Sequence, residues 1–470
     1  MSGLQQNSSG ATSRSSDLEP KCCVVLHRWV FCSLAFLAVF ISSLMLHLPN
    51  LLEDSKIVPV KNPNGSGFCP AKTTNYTQRV WVLKDPATKY ITVYAIHWGY
   101  LASCLPGAIL SDQFGGKYLV TLSLLFSSFW CLINPAIAVL SRKRPGWMAG
   151  TRFFRGFFKG FAFPAIMSLL VRWAPDTERT SMTCLVYGSF LLAHEISSVI
   201  QRIITKEEAY FVFGSVGVVF CLLWHLFVYP SPYEHPWIKP SELKFFDENT
   251  EDKPVKGRKK IPWGQMFTSS PLWAILFLQV GQAWTWFVFI YAYEVYMPGV
   301  LKFENYDNTV WWTPFYLFFG LTIIFGFTSD WFIKGKHFSV TTMRKINAVV
   351  GNVGAGGSCM FAIFRGCNSN GVMLHFTIGL CFEALLYSSC RVNHLDLTSN
   401  FVGTLMGITR SSNQIIEYVI RARLPQFLTA ESSLPHWAML FWLTFGINLL
   451  STFFFVVFGS GLRQEWNRVQ

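Results

Sequence analysis

Three cationic residues, Arg152, Arg155 and Lys159, lie in an apolar stretch at spacings of three and four residues. In an α-helix these spacings place the three side chains on one face, stacked over two turns. Such close cations repel one another and lose hydration when buried, so a facing carboxylate, a water-filled cavity or an anion must compensate. Taken singly, Arg152 can snorkel from a helix end and Arg155 can pair with a glutamate as a packing element. Taken together, the three favour a central cavity that attracts anions.

Other polar residues in apolar stretches complete the candidate site. Gln282, Trp284 and His97 are candidates for the cavity wall, although His97 is also explained as a hydrogen bond between helices. The candidate counter-charges or proton carriers are Glu195, Glu294, Glu383 and Glu417. The sequence carries no P-loop, zinc motif or nucleophile elbow in context, which argues against an enzyme, a metal site and a cofactor.

Small residues interleave with the three cations. Gly150, Gly156 and Gly160 recur along the same stretch, and Pro164 follows them. Small residues on a helix face permit close contact with a neighbouring helix, and a proline can bend the helix. The stretch therefore predicts a helix that lines a cavity and moves.

One short phrase occurs twice, in residues 107–117 and 326–336, each time between two apolar runs. Its carboxylate can cap a helix N-terminus or pair with a cation, and its glycine supplies the positive φ of a tight turn. The residues assigned to these turns, with a role in gating, are Asp112, Gly115, Lys117 and Asp330. The repetition predicts two related halves, which in a membrane protein is typical of a transporter.

The composition predicts a protein with many membrane spans. Hydrophobic residues make up 51% of the 470 residues, and charged residues make up only 14%, well below the roughly 25% of soluble domains. The fifth and eleventh predicted spans carry polar residues, which should face protein or water. Windows of about 20 apolar residues predict twelve transmembrane helices in two sets of six: 29–48, 90–110, 118–140, 148–171, 183–203, 209–229, 271–297, 309–329, 347–364, 371–390, 402–420 and 437–458.

These spans divide the chain into two pseudo-symmetric six-helix bundles, an all-α membrane fold. The predicted segments are a disordered tail 1–28, a first bundle 29–229 with an outer loop 51–89, a linker 230–270, a second bundle 271–458 and a tail 459–470. The first apolar run follows a long polar segment and is long enough to span, so it is interpreted as a helix and not as a signal peptide.

Two observations orient the chain with both termini in the cytoplasm. The outer loop carries the glycosylation sequons at Asn64 and Asn75, which are used only on the luminal or extracellular side. Lys and Arg are more numerous in the segments placed on the cytoplasmic side. Cys69 and Cys367 both fall in predicted outer loops and could pair across the halves. The net charge of +13 lies in short loops, where lipid headgroups explain it better than nucleic acid does.

Two motifs are Arg152-x-x-x-Gly156-x-x-x-Gly160-x-x-Phe163-Pro164, and Asn393-His394-Leu395-Asp396 with Gly403 and Met406-Gly407-Ile408-Thr409, of which the second is the most specific. These and other motifs resemble one family, the anion:cation symporters of the major facilitator superfamily, which are relatives of sialin, the vesicular glutamate transporters and the sodium–phosphate cotransporters. The resemblance covers most of the chain. It implies the major facilitator fold, with twelve helices and alternating access to one central site.

The departures from that family concern its substrate and coupling residues. The resemblance places an arginine where this chain has Met45, a histidine at Thr92 and, in the glutamate carriers, an arginine at Gln282. The family's span-four glutamate, implicated in proton coupling, corresponds to Lys159, whereas Arg152 keeps the substrate-site charge.

We therefore expect a monomeric transporter of small organic or inorganic anions, coupled to a proton or a sodium ion, in the plasma membrane or in an endolysosomal or vesicular membrane. Two alternatives stay open. A transporter-fold protein that acts as a sensor or assembly partner would tolerate Arg152→Ala, and an uncoupled facilitator would respond to membrane potential alone. The sequence does not identify the substrate, the coupling ion or the membrane.

Overall fold

Twelve long helices dominate the computed structural model, which describes residues 26–48, 54–59, 69, 77–82, 86–141, 144, 146–200, 203–251, 254–255, 257, 260–301, 308–427 and 433–468. The first six are α1 His27–Leu46, α2 Pro86–Phe114, α3 Gly116–Ser141, α4 Gly146–Trp173, α5 Arg179–Ile200 and α6 Lys206–Phe227. The last six are α9 Ser270–Val300, α10 Asn308–Lys334, α11 Val340–Ile363, α12 Ser369–Leu397, α13 Val402–Phe427 and α14 Leu434–Phe458. We call α1–α6 the first half and α9–α14 the second half.

Each of the twelve predicted spans corresponds to one of these helices. Within the described residues, nine helices are long and apolar enough to cross a membrane. The three less apolar ones are α2, α5 and α13. The polar residues of the fifth and eleventh spans were predicted from the sequence, whereas the low hydropathy of α2 was not expected. Polar residues of α2 and α13, His97 and Arg410 among them, face the interior between the halves, as described below.

The predicted linker holds two short helices, α7 Pro240–Asn249 and α8 Trp263–Thr268. The start of α1 is fixed to this linker, because the Arg28 guanidinium donates to Glu178 at 2.7 Å and to Glu242 of α7 at 3.3 Å. Burial, followed by the charge of neighbouring His27, holds the pKa of the linker residue His235 below its usual value.

Glycines allow α2 and α4 to pack with their backbones almost in contact. A Cβ at Gly156 would overlap the carbonyl oxygen of Ile96, and a Cβ at Gly160 would overlap the Ser103 hydroxyl. This confirms the close contact predicted for these two positions. The same prediction is wrong for Gly150, which has nothing within 4 Å because it lies close to the start of α4.

The two halves meet along two seams. The seams are formed by α2 with α13 and by α5 with α10. We call the end of the molecule that carries the start of α1 and the end of α14 the terminal face, and the other end the outer face. Helices α9, α11 and α12 each contain a π-helical segment, at Ala292–Val300, Val349–Val353 and Tyr387–Arg391. Such π turns are frequent at functional sites.

The outer face departs from the all-helical expectation in one place. Strands β1 Asp54–Pro59 and β2 Thr77–Val82 pair antiparallel within the long outer loop, in a register that joins Asp54 to Val82. The predicted pairing of Cys69 with Cys367 is confirmed as a disulfide with a Cα–Cα distance of 5.4 Å. Both sequons, Asn64 and Asn75, lie outside the described residues.

Candidate functional site

A cavity of about 460 Å³ lies between the two halves. Helices α1, α2, α4 and α5 form one wall, and α9, α10, α12 and α13 form the other. Its lining residues come from the middle and the outer-face portion of these helices, so it extends from mid-bundle towards the outer face. Its charged lining residues are five cations, Arg152, Arg155, Lys159, Arg391 and Arg410, and three acids, Glu294, Glu383 and Glu417.

The three cations predicted on one helix face do line this cavity together, but their surroundings differ. Arg155 is buried and committed to its own half: Nη1 donates to the Tyr210 hydroxyl at 3.1 Å, and Nη2 donates to the carbonyl of Met45. Lys159 is only 8% exposed, and its Nζ has no hydrogen-bond partner among the described residues. The Lys159 ammonium lies 5.4 Å from the ring of Phe190. Arg152 is half-buried.

Two further arginines come from the second half and surround Tyr187 of α5. The Arg410 guanidinium lies 5.4 Å from the Tyr187 ring and 4.3 Å from the Phe163 ring. That of Arg391 lies 5.8 Å from Tyr187 and 5.7 Å from Tyr387. Arg391 follows the predicted tenth span by one residue and Arg410 lies within the predicted eleventh, and neither was predicted as a site residue. Cation–π contacts of this kind join the halves at the inner end of the cavity.

Three of the four predicted acidic residues are distributed over the second wall. Glu294 is exposed, Glu417 accepts from Gln414 Nε2 at 3.5 Å, and Glu383 is 0% exposed. Neither carboxylate oxygen of Glu383 accepts a hydrogen bond from the part of the chain that the structure describes. The side chain of Glu195 lies outside the described residues.

Of the three other candidates, two line the cavity and one does not. His97 Nδ1 lies 2.7 Å from Gln414 Nε2 across the α2–α13 seam. His97 therefore lines the cavity and also forms a hydrogen bond between two helices, the two positions predicted for it. Gln282 lines the wall, and its Oε1 accepts from the Cys390 thiol at 3.3 Å. Trp284 points away, because its Nε1 donates to Thr444 Oγ1 of α14 at 3.0 Å. The cavity tryptophan is Trp286, two residues further around the helix.

The aspartates of the two repeated segments, Asp112 and Asp330, make contacts between the halves at the terminal face. Asp112, at the end of α2, accepts from the backbone N–H of Gly403 at 2.9 Å and of Thr404 at 2.6 Å, the first residues of α13. Asp330, near the end of α10, accepts from the backbone N–H of Thr180 at 3.1 Å and of Ser181 at 2.7 Å, the first residues of α5. Each aspartate therefore caps a helix of the opposite half. The predicted role as a helix cap is confirmed for both aspartates. The sequence did not predict that the capped helix belongs to the opposite half.

The turn residues of the two phrases are not equivalent. Gly115 has a φ of +90°, as predicted, and the Lys117 ammonium lies 5.1 Å from the Tyr229 ring within the first half. In the second phrase the positive φ of 55° belongs to Lys336 and not to Gly335. The reason is that α10 continues to Lys334 and Gly335 N–H still donates to Trp331, so the chain turns one residue later.

An ionic network beside these caps also crosses the seam. Arg344 Nε donates to Asp396 at 2.8 Å, and its Nη2 donates to Thr180 Oγ1 of the first half at 3.1 Å. Arg179 of the first half lies 3.5 Å from Asp396. The charge-assisted contacts and the two caps close the terminal face, while the cavity lies on the outer side of them.

This arrangement has counterparts among known proteins. The family model of the Major Facilitator Superfamily matches residues 80–417. A putative inorganic phosphate cotransporter of Drosophila ananassae is 28% identical over 79% of this chain and 78% of its own length. Human sialin is 25% identical over 96% of this chain and 92% of its length, and human vesicular glutamate transporter 2 is 25% identical over 81% and 66%.

Solved structures agree on the fold. The proton:xylose symporter XylE superposes with a TM-score of 0.65 at 12% identity, covering 93% of this chain and 98% of that one. FucP in its outward conformation gives a TM-score of 0.57 at 14% identity, covering 92% and 98%. The family model, the relatives and the fold agree, and the resemblance to the anion:cation symporters is confirmed: this chain belongs to the Major Facilitator Superfamily.

Proposed function

We propose that this chain is a secondary active transporter that moves small organic or inorganic anions across its membrane by alternating access, in symport with a proton or sodium ion. One observation carries the proposal: the cavity between the halves is lined by five cations, and the buried Lys159 ammonium has no hydrogen-bond partner in the described structure. A buried ammonium without a partner is costly, and an anion in the cavity would supply one.

The five cations would have different roles in binding the anion. Arg155 already donates to Tyr210 and Met45, so it raises the local potential without contacting the substrate. Lys159 and Arg152 would hold the anion by charge-assisted hydrogen bonds. Arg391 and Arg410 would bring the second half to the same anion, which therefore draws the two walls together. The relatives named for phosphate and for glutamate support an anionic substrate.

Gating follows from the caps. With the terminal face closed by Asp112 and Asp330, we expect access to the cavity from the outer side, towards which its lining residues extend. Substrate binding would favour closure of the outer side, and the terminal face would then open as both caps separate from the opposite half. We assign the terminal face to the cytoplasm, because the sequon-bearing loop and the disulfide lie at the other end.

The test is uptake into proteoliposomes of labelled phosphate, glutamate, sialic acid and urate, each with and without proton, sodium and voltage gradients. Arg152→Ala is the site variant, and Lys244→Ala, on the exposed face of α7, is the matched control. Uptake that rises with an ion gradient and is lost only in Arg152→Ala supports the symporter. Uptake driven by voltage alone indicates a facilitator. No uptake by folded protein indicates the non-transporting alternative.

A further inference from the structure

The buried carboxyl group of Glu383 has surroundings unlike those of the other cavity acids. It lies on α12 at the cavity wall with 0% exposure, and neither of its oxygens accepts a hydrogen bond within the described residues. By contrast, Glu294 is exposed and Glu417 accepts from Gln414. An ionised carboxylate buried without hydrogen bonds is strongly disfavoured, whereas a protonated one is tolerated. The geometry therefore favours the neutral acid in this state.

Few groups bear on this carboxyl. Gln282 of α9 lies beside it but outside hydrogen-bond geometry. Among the described residues, the titratable or charged groups that act on it are Cys359 of α11 and Tyr387, Cys390 and Arg391 of α12. Arg391 is the cation among them, and it lies two turns further along the same helix.

Arg391 is held away from Glu383 by contacts that include the opposite half. Its guanidinium lies against the ring of Tyr187 of α5, and Nη1 donates to Gln279 at 3.4 Å. The Arg391 Nε has no hydrogen-bond partner among the described residues. Because Tyr187 belongs to the first half, a motion that opens the α5–α10 seam would remove that contact, whereas the contacts of Arg391 with Gln279 and Tyr387 lie within the second half.

We propose that Glu383 carries the coupling proton of the transport cycle. The proton enters through the cavity and binds the carboxylate, so that the buried acid is neutral while the terminal face is closed. When that face opens, Arg391 leaves Tyr187 and pairs with Glu383. The O–H bond of the acid breaks, the proton passes to water at the terminal face, and the guanidinium balances the carboxylate charge. The inference rests on the transport activity proposed above. Glu383 would take the role of the acid that α4 lacks, because Lys159 stands at that position.

The protonation state is tested without any substrate. Infrared spectroscopy of the protein in nanodiscs at neutral pH should show a carbonyl band of a protonated carboxylic acid that is lost in Glu383→Gln. The band should remain in Glu248→Gln, a matched change on exposed α7. Wild-type protein provides a second measurement that does not depend on the variant folding. Dicyclohexylcarbodiimide, which adds to protonated carboxyl groups, should modify Glu383 at neutral pH in peptide mass spectra.

Coupling is tested with the same four anions in proteoliposomes. Glu383→Gln should lose the accumulation driven by a proton gradient and keep exchange of external for internal anion, which needs no net proton movement. Proton-driven accumulation that persists in Glu383→Gln, or a Glu383 that stays unmodified and gives no acid band, overturns the inference and leaves the transport proposal intact. So does wild-type uptake driven by sodium alone. A wild type that neither accumulates nor exchanges any of the four removes the transport proposal and the inference with it.

Discussion

Replacing Asp112 by alanine should open the terminal face. The change removes a carboxylate that accepts hydrogen bonds from the Gly403 and Thr404 amides and from Thr404 Oγ1 at 2.8 Å. Loss of a helix cap costs about 0.5–2 kcal/mol, and loss of a negative charge at a helix N-terminus costs about 0.3–1 kcal/mol more. The closed state should therefore lose about 0.8–3 kcal/mol, which at 1.4 kcal/mol per factor of ten is about a 4- to 140-fold larger open population.

A native cysteine can report this opening. Cys184 is fully buried on α5, where a Cβ at Gly326 of α10 would come within 2.8 Å of it, so it lies in the α5–α10 seam. Asp112 acts at the other seam, so local fraying of α13 cannot expose Cys184, and only separation of the halves can. The assay is the rate at which N-ethylmaleimide modifies Cys184, read by peptide mass spectrometry, which should rise in proportion to the open population.

Two further variants serve as comparisons for the reaction rate of Cys184 in Asp112→Ala. Asp112→Asn keeps an acceptor oxygen and loses the charge, so its rate should fall between those of the wild type and Asp112→Ala. Thr205→Ala removes an N-cap of the same kind from α6, entirely within the first half, and should leave the rate unchanged. If Cys184 in folded Asp112→Ala reacts within about twofold of the wild-type rate, the cap does not hold the halves together, and the gating argument is wrong.

Three more changes have outcomes set by particular contacts. Lys159→Gln should raise the KM of anion uptake about 10- to 150-fold, because a charge-assisted hydrogen bond contributes about 1.5–3 kcal/mol; an unchanged KM would remove this residue from the site. Gly156→Val should lower the melting temperature and the yield of folded protein, since its side chain would overlap the Ile96 carbonyl; normal melting would show that α2 and α4 can separate. Asn467→Ala removes an oxygen that accepts from Thr398 Oγ1 at 2.6 Å and from two loop amides. The protein should lose about 1–3 kcal/mol, seen as a lower midpoint in thermal unfolding, and an unchanged midpoint would contradict that role.

Helix number and order could be predicted because membrane spans are a property of local composition. A run of about 20 apolar residues indicates a span wherever it occurs, and the repeated phrase exposed the two halves. The weak apolar character of α2 was not predicted, because its Gly, Tyr and Trp residues lie scattered among apolar ones and lower the hydropathy of the run. The strand pair at Asp54–Pro59 and Thr77–Val82 had no such signal, because pairing depends on partners distant in the chain.

The candidate site could be predicted where one helix carries it. Arg152, Arg155 and Lys159 share a face by spacing alone, and they do line the cavity. By contrast, Arg391 and Arg410 become a pair only because Tyr187, from the other half, lies between them. The caps show the same limit, since a local pattern gives a carboxylate at a turn but not the helix that it meets.

The disulfide between Cys69 and Cys367 links the outer loop of the first half covalently to the second half. Cys367 follows the end of α11 by four residues, so its position is tied to that helix. Cys69 belongs to the first half by sequence, because the chain runs back from it to the cavity residue Leu48 and forward to Pro86. Whatever motion alternates access, the disulfide keeps those two Cα atoms 5.4 Å apart, so Cys69 must move with the end of α11, in the half to which it does not belong by sequence. In a reducing compartment this covalent link between the two halves would be lost.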